Sequence, residues 1–363
     1  MKTAIVILNW NGRKFLERFL PGLLGTTGPD AEVIVADNAS SDGSVELLKD
    51  SFPMVRTMIF SRNHGFTGGY NRALMELQAE YFILLNSDIE VEGDWLGPLT
   101  DWMDSHPGCG ICAPKLHSLA DRKMFEYAGA AGGYIDKYGY PYCRGRVMKM
   151  VEEDRGQYDT PEDVFWVSGA CLMIRSELYR RLGGLDEKFF AHMEEIDLCW
   201  RAQLLGYRVT VVPESTVYHI GGGSLPNDSP RKLYLNYRNN LLMLKKNLGK
   251  TIALGLLKEG MEAGRCAEKG ARIARRRIFT RMLMDGMSAA VYLLTFRWAY
   301  FSSVFSAHRD FRKVRVKVTV PDIRKYLEEH GSVAMVTGMS RRWIIPTAVL
   351  YGKRIFNFMQ YFL

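Results

Sequence analysis

The sequence predicts an α/β protein: a mostly parallel sheet with helices on its faces, followed by a basic helical region. Three observations carry this. Short β-branched apolar runs alternate with segments whose apolar residues recur at helical spacing. Each run ends in a polar turn rich in Asn, Asp, Ser or Gly. The charge is also divided along the chain. Residues 1–225 hold 22 Lys+Arg against 31 Asp+Glu, a balance of −9, whereas residues 226–363 hold 26 against 9, a balance of +17. With 363 residues and 47% apolar content, the chain can bury a large core and carry an appendage. The division is placed between 1–230 and 231–363.

Taken in order, Thr3 to Leu8 reads as a strand buried on both faces and ends in Asn9-Trp10-Asn11-Gly12. Phe15, Leu16, Phe19, Leu20 and Leu23 then repeat helically. Glu32 to Ala36 is the second strand and ends in Asp37-Asn38-Ala39-Ser40-Ser41-Asp42-Gly43, before a helix through Val45, Leu47 and Leu48. Thr57 to Phe60 is the third. It runs into Asn63-His64-Gly65-Phe66-Thr67-Gly68-Gly69-Tyr70-Asn71 and a helix through Ala73, Leu74 and Leu77. Tyr81 to Leu85 is the fourth and ends in Asn86-Ser87-Asp88. In an open sheet of this kind, ligands bind at the carboxyl ends of the strands. Asp37, Asn38, Asn63, Asn86 and Asp88 all fall there.

No Gly-x-Gly-x-x-Gly follows the first strand and no Gly-x-x-x-x-Gly-Lys occurs, which argues against dinucleotide and P-loop sites. Gly65, Gly68 and Gly69 instead let backbone approach a phosphate or a ring. Asp88 beside an amide suits a hard divalent cation that also binds phosphate oxygens; an Asx turn reads the same way. Residues 114–165 show little period and read as irregular hairpins. Cys109-Gly110-Ile111-Cys112 is a lone CxxC without a second pair, and reads as the start of an apolar strand. The six cysteines form no disulfide framework, which fits a reducing compartment.

Farther on, Phe189 to Arg201 contains Glu194, Glu195 and Asp197 before Leu198, Ala202 and Leu205, a loop running into a helix. Helical spacing pairs Asp197 with Arg201 and leaves Glu195 at the helix start, facing a cleft. A solvated helix start, where acids suit the macrodipole, gives the same pattern.

Four motifs, in order and spacing, resemble the GT-A family 2 glycosyltransferases, most closely their rhamnosyltransferase-like branch: IVILNWNG from Ile5, ADNASSDG from Ala36, NHGFTGGYN from Asn63 and LLNSD from Leu84. The resemblance spans roughly residues 1–245. It implies a Rossmann-like GT-A sheet and inverting sugar transfer from a nucleotide-sugar. It places the nucleotide and donor at Asn9, Asn11, Asp37, Asn38, Asn63, Gly65, Phe66, Asn71, Asn86 and Ser87, with Gly169 and Ala170 beneath the sugar. The family's Asp-x-Asp metal motif is Asn86-x-Asp88 here, so Asp88 is its sole carboxylate. His219 matches the histidine that completes the Mg²⁺ or Mn²⁺ site. Glu195, with Glu194 beside it, matches the general base. The expected donor is dTDP-rhamnose, with UDP-sugars as the alternative, and the expected acceptor is a lipid-linked saccharide in surface polysaccharide synthesis. A nucleotidyltransferase would need an Arg/Lys-bearing glycine loop after the first strand, which Asn9-Trp10-Asn11-Gly12 is not. A non-catalytic nucleotide-sugar-binding subunit would have no use for Asp88, Glu195 and His219.

From Arg231 onward, leucines and aromatics are interspersed with Lys and Arg. Examples are Arg272, Arg275, Arg276 and Arg277 before Leu283, Met287 and Phe296, and Lys353 and Arg354 within Trp343 to Leu363. Such helices suit an anionic membrane surface or a separate helical domain. No recognised nucleic-acid module appears, so nucleic acid is not an expected partner. No run reaches 18 uncharged apolar residues, and Met1-Lys2-Thr3 leads straight into a strand. The expected location is therefore cytoplasmic, peripheral on the inner face of the cell membrane.

Overall fold

The computed structural model describes residues 1–221, 229–314 and 336–361, together with Tyr326 and Val333. The first half alternates as read from the sequence: β1 (Thr3–Asn9), α1 (Arg13–Thr26), β2 (Ala31–Asp37), α2 (Ser44–Ser51), β3 (Arg56–Ile59), α3 (Gly65–Met75) and β4 (Tyr81–Leu85). β3, β2, β1 and β4 lie side by side, all parallel, in the register Ile5↔Val33 and Ile5↔Ile83. The apolar runs of β1 and β4 are sealed on both faces. Val6 and Leu84 belong to one core cluster and Ile5 and Ile83 to another, on opposite sides of the sheet.

Beyond β4 the chain departs from simple alternation. β5 (Ile89–Val91), α4 (Gly97–Ser105) and β6 (Cys109–Ser118) follow, then four short strands, β7 (Gly133–Asp136), β8 (Pro141–Cys143), β9 (Arg146–Val147) and β10 (Met150–Val151). β11 (Glu162–Asp163), β12 (Cys171–Arg175), α5 (Ser176–Arg181), α6 (Glu194–Leu204) and β13 (Arg208–His219) complete the unit. β12 inserts between β4 and β6, antiparallel to both, and β13 runs parallel to β6. The stretch expected to be irregular, 114–165, thus continues the main sheet through β6 and builds a second small one.

The C-terminal region comprises α7 (Pro230–Lys258), α8 (Ala263–Leu294), α9 (Trp298–Lys313), β14 (Met339–Ser340), α10 (Ile344–Tyr351) and a 3₁₀ segment, Gly352–Tyr361. The expected division after residue 230 falls at the start of α7, yet Leu241, Leu242, Met243 and Leu244 of α7 join the core cluster that contains β1 and β4. β14 pairs with β7, closing the small sheet. Buried Asp136 at the end of β7 accepts from the amides of Tyr138, Tyr140 and Ile344, tying α10 to the same corner. All six cysteines are free and buried, Cys109 and Cys112 within β6 as expected. Among the described residues no helix is long and apolar enough to cross a membrane. Gly222 to Ser224, Phe362 and the side chains of Phe358 and Tyr361 lie outside the described residues.

Candidate active site

The strand tips are stitched to one another by their own polar side chains. At the end of β1, Asn9 is fully buried and donates to Asp37 Oδ2 at 2.9 Å and to Ser40 Oγ at 3.1 Å. Asp37 accepts a second bond from the Ser40 amide, and Asn11 accepts from the Ser41 amide. Asn38 bridges to the next tip: its amide donates to Asn63 Oδ1 and the Gly65 carbonyl, and its oxygen accepts from the His64 amide. Buried polar groups satisfied in this way hold the turns in one shape.

Gly65 opens α3 with φ +72°, and a Cβ there would lie 2.5 Å from the Phe190 ring. Only glycine fits both conditions. The Phe66 and Thr67 amides donate to the Phe190 carbonyl, which fastens the third tip to the segment ahead of α6. That segment is backbone under constraint: Phe190, His192 and Met193 all have positive φ, at 66°, 70° and 70°. α7 holds it. Asn239 Nδ2 lies within hydrogen-bond reach of the carbonyls of Phe189, Ala191 and His192, and Arg238 donates to those of Lys188 and Phe189.

α6 then presents its two glutamates. Glu195 packs against Gly169, where an added Cβ would sit 3.4 Å from the Glu195 Cβ and 3.8 Å from Phe66 Cζ. The Ala170 carbonyl, next in sequence, accepts from the Asn86 amide at 2.9 Å. The base candidate, the turn expected beneath the sugar and the tip of β4 therefore meet. Glu195 is half-buried and its Oε2, shielded from solvent, has no hydrogen-bond partner among the described residues. Burial pushes its carboxyl up to about 7, against the opposing pull of the backbone amides at the helix start. Glu194 lies deeper. Burial, then the neighbouring Glu195 charge, raises it well above the ordinary range. Asp197 turns the other way, fully buried, where it accepts from Arg201 Nε (2.7 Å), Lys246 Nζ (2.9 Å) and Asn247 Nδ2 (2.8 Å).

Asp88 and His219 are both buried and 3.1 Å apart, Oδ1 to Nε2. The antiparallel pairing of β13 with β5 brings them together, with His219 opposite Ile89. Behind the ring, the buried Glu126 carboxylate stands 3.5 Å from Nδ1. Burial works against a charged imidazole here, but the carboxylates of Asp88 and Glu126 outweigh it and push the ring up to about 10. An environment that favours a proton on Nε2 also favours a cation in its place. One carboxylate oxygen, one imidazole nitrogen and a second carboxylate behind the ring fit a divalent ion that keeps its remaining positions for phosphate oxygens and water. Among the described residues no group of three or more His, Cys, Asp or Glu is placed to hold a metal ion on its own.

Asn71 stands apart from the other donor-side candidates. Its amide donates to the Leu185 carbonyl, and its oxygen accepts from the Leu185 amide and the Tyr179 hydroxyl. It pins the Gly183–Gly184 turn. Ser87 lies by the β1 turn, its Oγ 3.4 Å from the Cβ position of Gly12. Glu126 is a charged neighbour of the site that the motifs did not single out.

Residues 4–183 match the family model described as glycosyl transferase family 2. Over 256 residues the chain is 25% identical to the N-acetylglucosaminyl-diphospho-decaprenol L-rhamnosyltransferase of Mycobacterium tuberculosis (strain ATCC 25618 / H37Rv), covering 66% of this chain and 83% of that protein. It is 25% identical over 229 residues to the dTDP-rhamnosyl transferase RfbF of Shigella flexneri, covering 59% of this chain and 71% of that one. Among solved structures, S. aureus TarS 1-349 in complex with UDP-GlcNAc matches with a TM-score of 0.50 at 14% identity, over 86% of this chain and 92% of that one. That likeness shows the GT-A fold.

Proposed function

The chain belongs to glycosyl transferase family 2, among its rhamnosyltransferase-like members, and from that premise we propose that it transfers rhamnose from dTDP-rhamnose, with inversion, to a hydroxyl of a lipid-linked saccharide at an anionic membrane surface. One observation carries the chemistry: Glu195, whose Oε2 has no hydrogen-bond partner among the described residues, packs against the Gly169–Ala170 turn, which is bonded to the Asn86-Ser87-Asp88 tip. In this reading the base and the diphosphate site lie at the two ends of that turn.

In this reading Glu195 accepts the acceptor hydroxyl proton as that oxygen attacks the anomeric carbon. Glu194, deeper and pushed further up by burial and by the Glu195 charge, is the less acidic of the two. Asp88 and His219 would hold Mg²⁺ or Mn²⁺, which when bound offsets charge developing on the leaving diphosphate. Asn9, Asp37, Asn38 and Asn63 shape the nucleotide-side turns, while Gly65 and Phe66 fix the wall next to Glu195. The names of the two rhamnosyltransferase relatives support the donor, and the decaprenol-linked substrate in one of those names supports the lipid-linked acceptor. A UDP-sugar remains the second donor, since TarS was solved with UDP-GlcNAc.

The test is a donor panel, dTDP-rhamnose against UDP-sugars with Mg²⁺ or Mn²⁺, run on wild type and Glu195→Gln. We expect the variant to bind nucleotide normally and to lose about 10²–10⁴-fold in turnover. Near-normal turnover would remove Glu195 from the role. Because a base works only when ionised, and burial pushes Glu195 up to about 7, wild-type kcat/KM should climb with pH and level off above about 7. A plateau already reached at about pH 5 would contradict the assignment.

A further inference from the structure

We propose that the exposed face of α8, with the turn into α9, is a docking surface for an anionic phospholipid bilayer. The proposal deepens the lipid-linked reading by naming the face and the chemistry of its partner, but its evidence is independent of sugar transfer. Phe279, Leu283, Met287, Val291 and Leu294 recur three or four residues apart, so they share one side of the helix. Each is between 57% and 78% exposed. The turn adds Phe296 and Trp298, both in the open. On the same side, toward the start of the helix, stand exposed Arg272, Arg275 and Arg276. The opposite side is buried, through Ala274, Ile278, Arg281, Met284 and Asp285.

The charge pattern selects the occupant. Between residues 269 and 309 the sole acid is Asp285, and it is buried against Arg281 at 2.8 Å. Within α8 the exposed acid on this side is Glu268, four residues before Arg272, against three exposed arginines, so the face is apolar and net cationic. A second copy presenting the same face would set three arginines against three, with one glutamate on each side to offset them. A bilayer takes both components at once, the apolar stripe among acyl chains and the arginines at anionic headgroups. No helix among the described residues is long and apolar enough to cross the bilayer, so the contact is interfacial.

The experiment is flotation of the full chain with vesicles of phosphatidylcholine alone or mixed with phosphatidylglycerol. Wild type should float with the mixed vesicles, less at high salt, and stay down with phosphatidylcholine alone. The triple variant Arg272→Gln, Arg275→Gln, Arg276→Gln should lose about a hundredfold in partitioning, roughly fivefold per cation. Leu294→Glu with Phe296→Glu should also stay down. All these positions are exposed, so thermal unfolding should match wild type, which separates lost binding from lost folding. Wild type remaining at the bottom with anionic vesicles at low salt would overturn the proposal, as would undiminished flotation of both variants. A dimer in sedimentation equilibrium that Leu294→Glu with Phe296→Glu dissolves, without flotation of wild type, would give the face to a second copy. Flotation needs no donor, so its failure leaves the transferase reading standing, and failed transfer leaves the docking surface standing.

Discussion

Glu126 stands behind His219 as Asp88 stands before it. A carboxylate 3.5 Å from Nδ1, short of a formed hydrogen bond, places negative charge behind the ring. Glu126→Gln keeps the size and removes the charge. We expect Mn²⁺ binding, read as the free-ion electron paramagnetic resonance signal, to weaken about 10–100-fold, with metal-free nucleotide affinity unchanged. Equal Mn²⁺ affinity in the two proteins would show the contact to be packing only. At this scale, Asp88, His219 and Glu195 stood out because each sits in a motif with a recognisable neighbourhood. Glu126 did not: it lies in Met124-Phe125-Glu126-Tyr127, without a strand-end turn or an acidic neighbour, and only the return of β13 brings His219 to it. Asn71 shows the converse. Its motif named it, but the way its side chain leaves α3 commits it to Leu185 and Tyr179.

The working element is the pair α6 and α7, with the constrained segment between Phe189 and Met193. Helical spacing predicts the Asp197–Arg201 pair, and the structure contains it at 2.7 Å. It could not show Lys246 and Asn247, because nothing local in a sequence signals partners one helix away. Asp197 is the peg on which α7 hangs beside α6. Asp197→Ala would leave Lys246 with Asp186 at 2.7 Å and Arg201 with the carbonyls of Leu182 and Gly184. Losing the charged hydrogen bonds to Asp197 should cost about 1.5–3 kcal/mol in a urea unfolding experiment. Turnover should fall as well, since α7 positions the Phe189–His192 carbonyls ahead of Glu195. A loss below about 1 kcal/mol would mean that water replaces the missing carboxylate.

For the whole molecule, the alternating first half was readable because each buried strand and amphipathic helix carries its own period. The antiparallel insertion of β12 was not, since strand direction within a sheet leaves no mark on an apolar run. The charge split correctly separated a basic helical region, but composition could not tell an appendage from a supporting wall. Leu241, Leu242, Met243, Leu244 and Leu248 are at most 2% exposed. Each contributes about 2 kcal/mol by burial, and together they rival the stability of an ordinary domain, about 5–15 kcal/mol. A chain ending at Gly221 should therefore lack a cooperative thermal transition and the near-ultraviolet circular dichroism of packed aromatics. A sharp transition in that fragment would show the first unit to be self-sufficient.

The six thiols offer one more use of this packing. Burial raises every one of them above its ordinary range, and a thiol that is neither ionised nor accessible ignores alkylating reagents. They are spread from β6 to α8. The order in which a maleimide finds them, followed by peptide mass spectrometry, would rank the breathing of each region without any label being engineered in. The protein carries its own clock for how often its interior meets water.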